Sequence, residues 1–385
     1  MSLYRKAAIA GIGATEFSKA SGRSELQLSV EAVQHALADC GLTTDDVDGL
    51  TTFTMDTSSE IAVARELGMK EMRFFSRINY GGGAACATVQ QAAMAVATGV
   101  ADVVVCYRGF NERSESRFGQ FSVAAATQVN TNGLDNAWSY PMGLGTPAAT
   151  VAMQATSYMH EYGATSRDFG AVAVADRRHA ATNPNAFYYQ QPLTLEEHQE
   201  SRWIVEPILR KLDCCQESDG GVALVVTSMD RARDLPQRPV RIDAASQGHL
   251  RDGDEMFGYY RGDLSGYEEG AFLGRQLYVA SGLTPDDIDV AMIYENFTPI
   301  VFIQLEAFGF CGPGEATDFI AGGNIEVGGT IPVNPNGGLL GEAYIHGMNN
   351  ILEGVRQVRG TAANQVDGAE HVLVSAGRSA LVLAP

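Results

Sequence analysis

The residues best equipped for chemistry in this chain of 385 stand directly behind a run of glycines. The stretch from Val333 to Met348 reads Val-Asn-Pro-Asn-Gly-Gly-Leu-Leu-Gly-Glu-Ala-Tyr-Ile-His-Gly-Met, so Gly337, Gly338 and Gly341 are followed by Tyr344 and His346. Glycines this close together mark backbone that turns sharply or is approached closely by another group. A tyrosine with its ordinary pKa near ~10 is a hydrogen-bond donor at neutral pH. It can polarise a carbonyl, or act as a base where its neighbours favour the phenolate. A tight turn with a tyrosine packed beside it is the plain alternative. The apolar run Ile351, Leu352, Val355 that follows is helix-compatible, which puts the glycines near a strand-to-helix junction, where α/β folds bind ligands.

The elements that position this stretch are written twice in the chain. Ala7–Ile12 reads as a strand, and Ser24–Leu37 carries apolar residues near a helical period. Cys40-Gly41-Leu42-Thr43-Thr44-Asp45-Asp46-Val47-Asp48 then leads into a strand at Gly49–Thr54, with Gly41 as the helix stop. Ser281-Gly282-Leu283-Thr284-Pro285-Asp286-Asp287-Ile288-Asp289 repeats that pattern between a helical run (Ala271–Val279) and a strand (Val290–Tyr294). Asn79-Tyr80-Gly81-Gly82-Gly83 answers Asn334-Pro335-Asn336-Gly337-Gly338, and Val103–Gly109 answers Val372–Arg378. Three landmarks in one order indicate an internally duplicated α/β half. Residues 1–110 with 207–240 form the first half and 241–385 the second. Between them, 111–206 reads as an insertion with helices at Ala148–Tyr162 and Arg167–Ala181, a lid or substrate-binding layer.

Composition narrows the function classes. A formal charge of −19 argues against nucleic acid. No apolar run is long enough to span a membrane, and the start of the sequence lacks a signal-peptide pattern. The six cysteines show neither Cys-x-x-Cys pairs nor histidines at zinc spacing, so a reduced, cytoplasmic protein without a metal is expected.

A duplicated half with a long insertion in its first copy resembles the thiolase superfamily, and within it the sterol-carrier-protein-type and lipid-transfer-type homologues. The resemblance is carried by Ser218-Asp219-Gly220-Gly221-Val222-Ala223, Tyr294-Glu295-Asn296-Phe297, Asn334-Pro335-Asn336-Gly337-Gly338 and the Asn79–Gly99 segment. It implies a thiolase fold, two α/β halves in a five-layer αβαβα arrangement. In that frame Gly82, beside Gly83, stands where the nucleophilic cysteine belongs. Tyr344 stands where the catalytic histidine belongs, and Ser375, in Ser375-Ala376-Gly377, where the second cysteine belongs. Cys86 falls about one helical turn later, as a small buried residue. Covalent thiolase chemistry is therefore not expected.

What remains is a thioester site with two tyrosines, Tyr294 and Tyr344. The pattern is similar to the thiolase-like aldolases of actinobacterial steroid side-chain degradation. That resemblance implies retro-aldol cleavage of a β-hydroxyacyl-CoA, a 17-hydroxy steroid 20-carboxyl-CoA giving a 17-ketosteroid and propionyl-CoA. Coenzyme A would enter as part of the substrate, with no cofactor bound covalently. Tyr344 would be the base at the β-hydroxyl and Tyr294 the donor to the enolate, or the reverse, with His346, Glu295, Asn296 and Glu342 in support. Phe118, Phe121, Trp138 and Tyr140 would line a sterol-sized pocket, whereas His249 reads as a surface-loop residue. The resemblance further implies a homodimer packed through the sheet of the first half, and a zinc-ribbon/OB-fold acyl-CoA-associated partner. Two other readings are a non-catalytic lipid or acyl-CoA binding protein and a thiolase using Cys86.

Overall fold

A computed structural model describes residues 4–54, 57–115, 139–251 and 262–385. Among the described residues nine strands join in one sheet, ordered β3-β2-β4-β7-β1-β8-β11-β10-β9. In chain order these are β1 (Ala7–Ala14), β2 (Gly49–Phe53), β3 (Phe74–Ile78), β4 (Val103–Asn111), β7 (Asp219–Ser228), β8 (Val240–Gln247), β9 (Val290–Met292), β10 (Val372–Ser375) and β11 (Ser379–Ala384). β5 (Trp203–Val205) and β6 (Leu209–Arg210) form a separate ribbon.

The duplication is visible in the pairing. β2 and β4 are parallel, while β4–β7 and β7–β1 are antiparallel. β9 and β10 are parallel, while β10–β11 and β11–β8 are antiparallel. The place of β3 is taken in the second half by a single parallel bridge from Val333 to Ala291. The halves meet where β1 pairs with β8 at Ala8–Arg241 and Ile9–Val240.

Alternate residues along each strand face different layers, as strand geometry requires. Val104, Cys106, Val222, Leu224, Met292, Val374 and Leu381 share one core with two helices, Ala85–Ala97 and Met348–Arg359. Their neighbours split: Val103, Val105 and Ala223 pack under the helix Glu25–Cys40, whereas Ala291, Leu373 and Val382 pack under the helix Tyr267–Ser281. Outer helix, one half of the sheet, paired central helices, the other half of the sheet and outer helix make the five layers. The helix Ala85–Ala97 fits between the two halves of the sheet because alanine dominates its buried positions.

The repeated Gly-Leu-Thr…Asp-x-Asp motif has a local reason. Gly41 and Gly282 end their helices in the left-handed region, at φ 71° and 78°. The carboxylates of Asp46 and Asp287 accept from the backbone N–H groups of Thr43 and Thr284 at 2.9 and 2.8 Å. Asp48 accepts from the N–H of Val103 at 2.9 Å, and Asp289 from that of His371 at 2.8 Å, tying each motif to the next strand of its half.

The insertion helices run Pro147–Tyr162 and Ser166–Thr182, within a residue of the sequence-based ranges. Tyr158, Phe169 and Val172 pack with Phe302 and Leu305, so the insertion of the first half covers the second half. Phe118, Phe121 and Trp138 lie outside the described residues, and Tyr140 opens a short turn, half-buried.

Candidate active site

Three loops of different origin converge at the ends of the central helices. The hydroxyls of Tyr294 and Tyr344 lie 2.9 Å apart, with ring centroids at 6.3 Å. Both residues are buried, each 7 % exposed. Gly82 explains how Tyr294 gets there: a Cβ at position 82 would fall on the Tyr294 hydroxyl. A cysteine at position 82 and the observed Tyr294 rotamer therefore exclude one another. Gly83 packs against Ala376 and Arg378, with Gly377 in the left-handed region (φ 76°), where an added Cβ would lie 4.0 Å from the Gly83 Cα.

A serine holds the backbone of each tyrosine. The N–H of Tyr294 donates to Ser375 Oγ at 3.2 Å, while the Tyr294 carbonyl accepts from Gln304 Nε2 at 3.2 Å. The Ser375 hydroxyl in turn donates to Gln304 Oε1. On the other side the N–H of Tyr344 donates to Ser218 Oγ at 3.1 Å. Ser375 thus braces a tyrosine where the resemblance placed a second cysteine.

Glu295 and Glu342 are fully buried and face a backbone N–H and asparagine amides respectively rather than a phenol oxygen. Glu295 accepts from the Leu339 N–H and occupies the space a Cβ at Gly338 (φ 58°) would need. Burial pushes its carboxyl up to about 8. Glu342 accepts from the side-chain amides of Asn336 and Asn349 at 2.6 and 3.0 Å and from Asn183 at 3.2 Å. It braces the loop two residues before Tyr344. Asn296 contributes its carbonyl, which accepts from the Cys215 N–H at 2.9 Å. Gly337, at φ 99°, lies against Ala180 of the insertion, where a side chain would collide with the helix.

His346, itself at φ 50°, lies edge-on to Tyr344 with centroids 5.0 Å apart. Its Nδ1 is 3.0 Å from Arg108 Nη2. Burial first, and then the Arg108 charge, push its pKa well below the usual value. Sequence reasoning passed over Arg108, Ser218, Gln304, Lys19, Glu112 and Cys215. The first had a signal, an arginine inside an apolar strand. Lys19 Nζ donates to the Glu217 carbonyl and lies 4.6 Å from the Phe187 ring centroid. Burial draws its pKa down to about 8, against the pull of Cys215 and Glu112. His249 is partly buried against Tyr80 rather than free on a loop, with centroids at 6.2 Å.

Burial raises the pKa of Tyr294, only partly offset by the hydrogen bond from Tyr344, while Cys215, Glu112 and Glu295 raise it further. Tyr344 is raised by burial first, then by Tyr294, Cys215 and Glu112. Both phenols are neutral in this site. Cys86 is fully buried, donates to the Val374 carbonyl at 3.5 Å, and has its thiol pushed up by burial. That is a core thiol, the opposite of a reactive one.

The fold and its paired glycine loops are those of a thiolase, with two hydrogen-bonded phenols beside Gly82. Residues 7–230 match the thiolase N-terminal domain and residues 261–381 the thiolase C-terminal domain-like family, and the chain belongs to the thiolase family. It is 66 % identical to 17-hydroxy-3-oxo-4-pregnene-20-carboxyl-CoA lyase of Mycobacterium tuberculosis over 97 % of both chains. It is 63 % identical to the steroid side-chain-cleaving aldolase of Thermomonospora curvata over 96 % of this chain and 95 % of that one. The solved Ltp2-ChsH2(DUF35) aldolase superposes with a TM-score of 0.95 at 60 % identity, covering 100 % of this chain and 99 % of that one. Human mitochondrial 3-ketoacyl-CoA thiolase, at 15 % identity, TM-score 0.69 and coverage of 99 % and 98 %, shares the fold. The relatives of high identity are enzymes named for a lyase and an aldolase, as the resemblance implied. Among the described residues no helix is long and apolar enough to cross a membrane and no side-chain cluster suits a metal ion.

Proposed function

We propose that this chain is a carbon–carbon lyase that cleaves a β-hydroxyacyl-CoA by retro-aldol chemistry, using Tyr294 and Tyr344 and forming no covalent intermediate. The observation that carries the reading is the 2.9 Å hydrogen bond between the two phenols above a glycine that cannot bear a nucleophile. The names of the two relatives support a steroid side chain as the substrate, and the first supports a 17-hydroxy steroid 20-carboxyl-CoA; retro-aldol cleavage of that compound gives a 17-ketosteroid and propionyl-CoA.

Retro-aldol cleavage moves one proton from the β-hydroxyl to Cα. With both phenols held neutral, a free phenolate is scarce, because burial penalises the charged form. A relay removes the need for one. The β-hydroxyl proton passes to the Tyr344 oxygen as Tyr344 gives its own proton to Tyr294. Tyr294 delivers its proton to Cα, where the electrons of the broken Cα–Cβ bond have gathered as the thioester enolate. The ketone leaves with each phenol again carrying one proton, Tyr344 that of the β-hydroxyl and Tyr294 that of Tyr344, so the pair needs only to reorient its hydroxyls. Before that final transfer the Tyr294 hydroxyl is the donor that stabilises the developing enolate.

The test is product analysis: a tertiary β-hydroxyacyl-CoA should yield a ketone and a shortened acyl-CoA, with no acyl adduct on the protein by mass. Tyr294→Phe and Tyr344→Phe that both keep the full cleavage rate would sink the mechanism. An inert wild-type chain, assayed alone and with its partner, would favour the non-catalytic binding reading. The partner in view is a zinc-ribbon/OB-fold acyl-CoA-associated protein, supported by the second component in the name of the solved Ltp2-ChsH2(DUF35) aldolase. The edge strand β3, with Phe75 66 % exposed, supports a homodimer formed through the first half. The six cysteines, all free thiols, suit a cytoplasmic location. The division into 1–110 with 207–240, 111–206 and 241–385 is supported by β7 and β8, which fall on opposite sides of residue 230–240.

A further inference from the structure

Behind Tyr344 lies a buried charge that the relay does not use. Arg108 of β4 is fully buried, with its guanidinium between the rings of Phe53 and Phe110, 4.7 and 4.8 Å from their centroids. It donates to the Phe53 carbonyl at 3.2 Å and reaches His346 Nδ1 at 3.0 Å. Arginine has donors only, so Nδ1 of His346 must present its lone pair, and the ring proton of the neutral imidazole must sit on Nε2. The imidazole also stacks on Phe110, with centroids 4.6 Å apart, and stands perpendicular to Tyr344. Arg108 comes from the first half, whereas His346 and Tyr344 lie on one loop of the second.

We propose that Arg108 is a positioning residue for the retro-aldol reaction: it locks His346 as the neutral Nε2–H tautomer and thereby fixes the loop that carries Tyr344. The inference rests on the aldolase reading for its kinetic consequence but not for the tautomer. The guanidinium is the charged group acting on His346 from β4; Tyr344 on its own loop is neutral, and Phe53 of β2 and Phe110 carry no charge. Protonating the imidazole would put two cations 3.0 Å apart in the core. His346 therefore remains neutral through the pH range in which an ordinary histidine titrates. His346 also sits at φ 50°, a conformation that a non-glycine residue keeps only when its surroundings hold it there.

Two measurements test this on the full-length chain. In ¹⁵N spectra of histidine-labelled protein, with the His346 signal assigned by its loss in His346→Gln, Nδ1 should be unprotonated and Nε2 protonated from pH 5.5 to 8. An imidazolium or an Nδ1–H tautomer overturns the proposal whether or not the chain cleaves a thioester. In kinetics on a tertiary β-hydroxyacyl-CoA, folded Arg108→Met should lose about a hundredfold in kcat/KM, the scale of a small misplacement of a reacting group. It should also bring the His346 acid limb up in pH, toward the ordinary histidine pKa of ~6.5 but short of it, because burial still holds the imidazole down. Arg108→Lys, which keeps a donor, should recover most of the rate and flatten the limb. An unchanged rate and pH profile in folded Arg108→Met overturns the proposal. If Arg108→Met does not fold, the tautomer and the lysine variant decide. A wild-type chain that is inert while the tautomer holds would reject the aldolase reading and leave the lock standing.

Discussion

The two glycine loops, Asn79–Gly83 and Asn334–Gly338, descend from one backbone device and now do opposite things. In the first half the loop has been emptied: Gly82 and Gly83 bring no functional side chain, and their role is to let neighbours approach. In the second half the same device stands beside both phenols, and each is held by a serine that accepts from its backbone N–H at 3.1 to 3.2 Å. On the proposed mechanism the chemistry stands in the second copy of the duplicated fold rather than the first. The absence of a side chain at position 82 is what makes room for the Tyr294 ring.

The largest effect should come from removing the phenol oxygens. Tyr344→Phe and Tyr294→Phe should each lower kcat by about 10²–10⁴-fold, the range of general acid–base catalysis, with KM changed far less. On the proposed relay, in which the two hydroxyls act as one unit, the double variant should be little worse than the poorer single one. Additive losses in the double variant would break the relay and leave two independent roles.

Refilling the first half comes next. Gly82→Cys restores the side chain that the family uses as a nucleophile, but its Cβ falls where the Tyr294 hydroxyl lies. Displacing that phenol should cost about a hundredfold in cleavage rate. It should also cost about 1–3 kcal/mol of stability, as overpacking does in a dense core. No thiolase activity should appear, since no histidine stands at the Tyr344 position to activate the thiol. Mass analysis for an acyl adduct would show whether a thiolase can be rebuilt with one change.

The serines give a smaller effect and compare the halves directly. Ser218→Ala and Ser375→Ala each leave a buried tyrosine N–H without its acceptor, worth about 1–3 kcal/mol. Ser375→Ala should be the worse, since it also strands Gln304, which holds the Tyr294 carbonyl at 3.2 Å. Denaturant titration of the two variants measures the difference.

Much of this was legible in the sequence, for reasons particular to certain residues. The Gly-Leu-Thr…Asp-x-Asp repeat is local, its carboxylates closing turns three residues back, so it betrayed the duplication at once. Tyr294 and Tyr344 could be singled out because they replace reactive residues in a known frame. The carboxylates of Glu295 and Glu342 gave no hint that they serve backbone and asparagine amides rather than the phenols. Ser218 and Arg108 act across 126 and 238 positions of sequence, and Gln304 acts through Ser375, 71 positions away, so the sequence assigned none of them to the site, although Arg108 stood out inside an apolar strand. The insertion read as a separate layer, yet its buried faces belong to the core of the second half, a pairing that hydrophobic periodicity cannot assign.

The smallest effect should be seen in how stability varies with pH. Burial raises the folded-state pKa of Glu295 to about 8, above the ordinary carboxyl value, and Asp176 is raised beside it by burial and by Glu295 itself. A carboxyl whose folded pKa is raised binds its proton more tightly in the native chain than in the unfolded one. Its contribution is therefore complete below the unfolded pKa and fades as pH rises through about 8. Wild-type Tm should fall across that window, and Glu295→Gln should remove part of the slope, because the amide carbonyl can still accept from the Leu339 N–H. The effect separates the halves once more: the glycine loop of the second half rests on a titrating carboxylate, whereas Gly82 and Gly83 rest on neutral groups and aliphatic stems. A pH–stability slope left intact in Glu295→Gln would shift the titration to Asp176, and Asp176→Asn would then be the variant that flattens it.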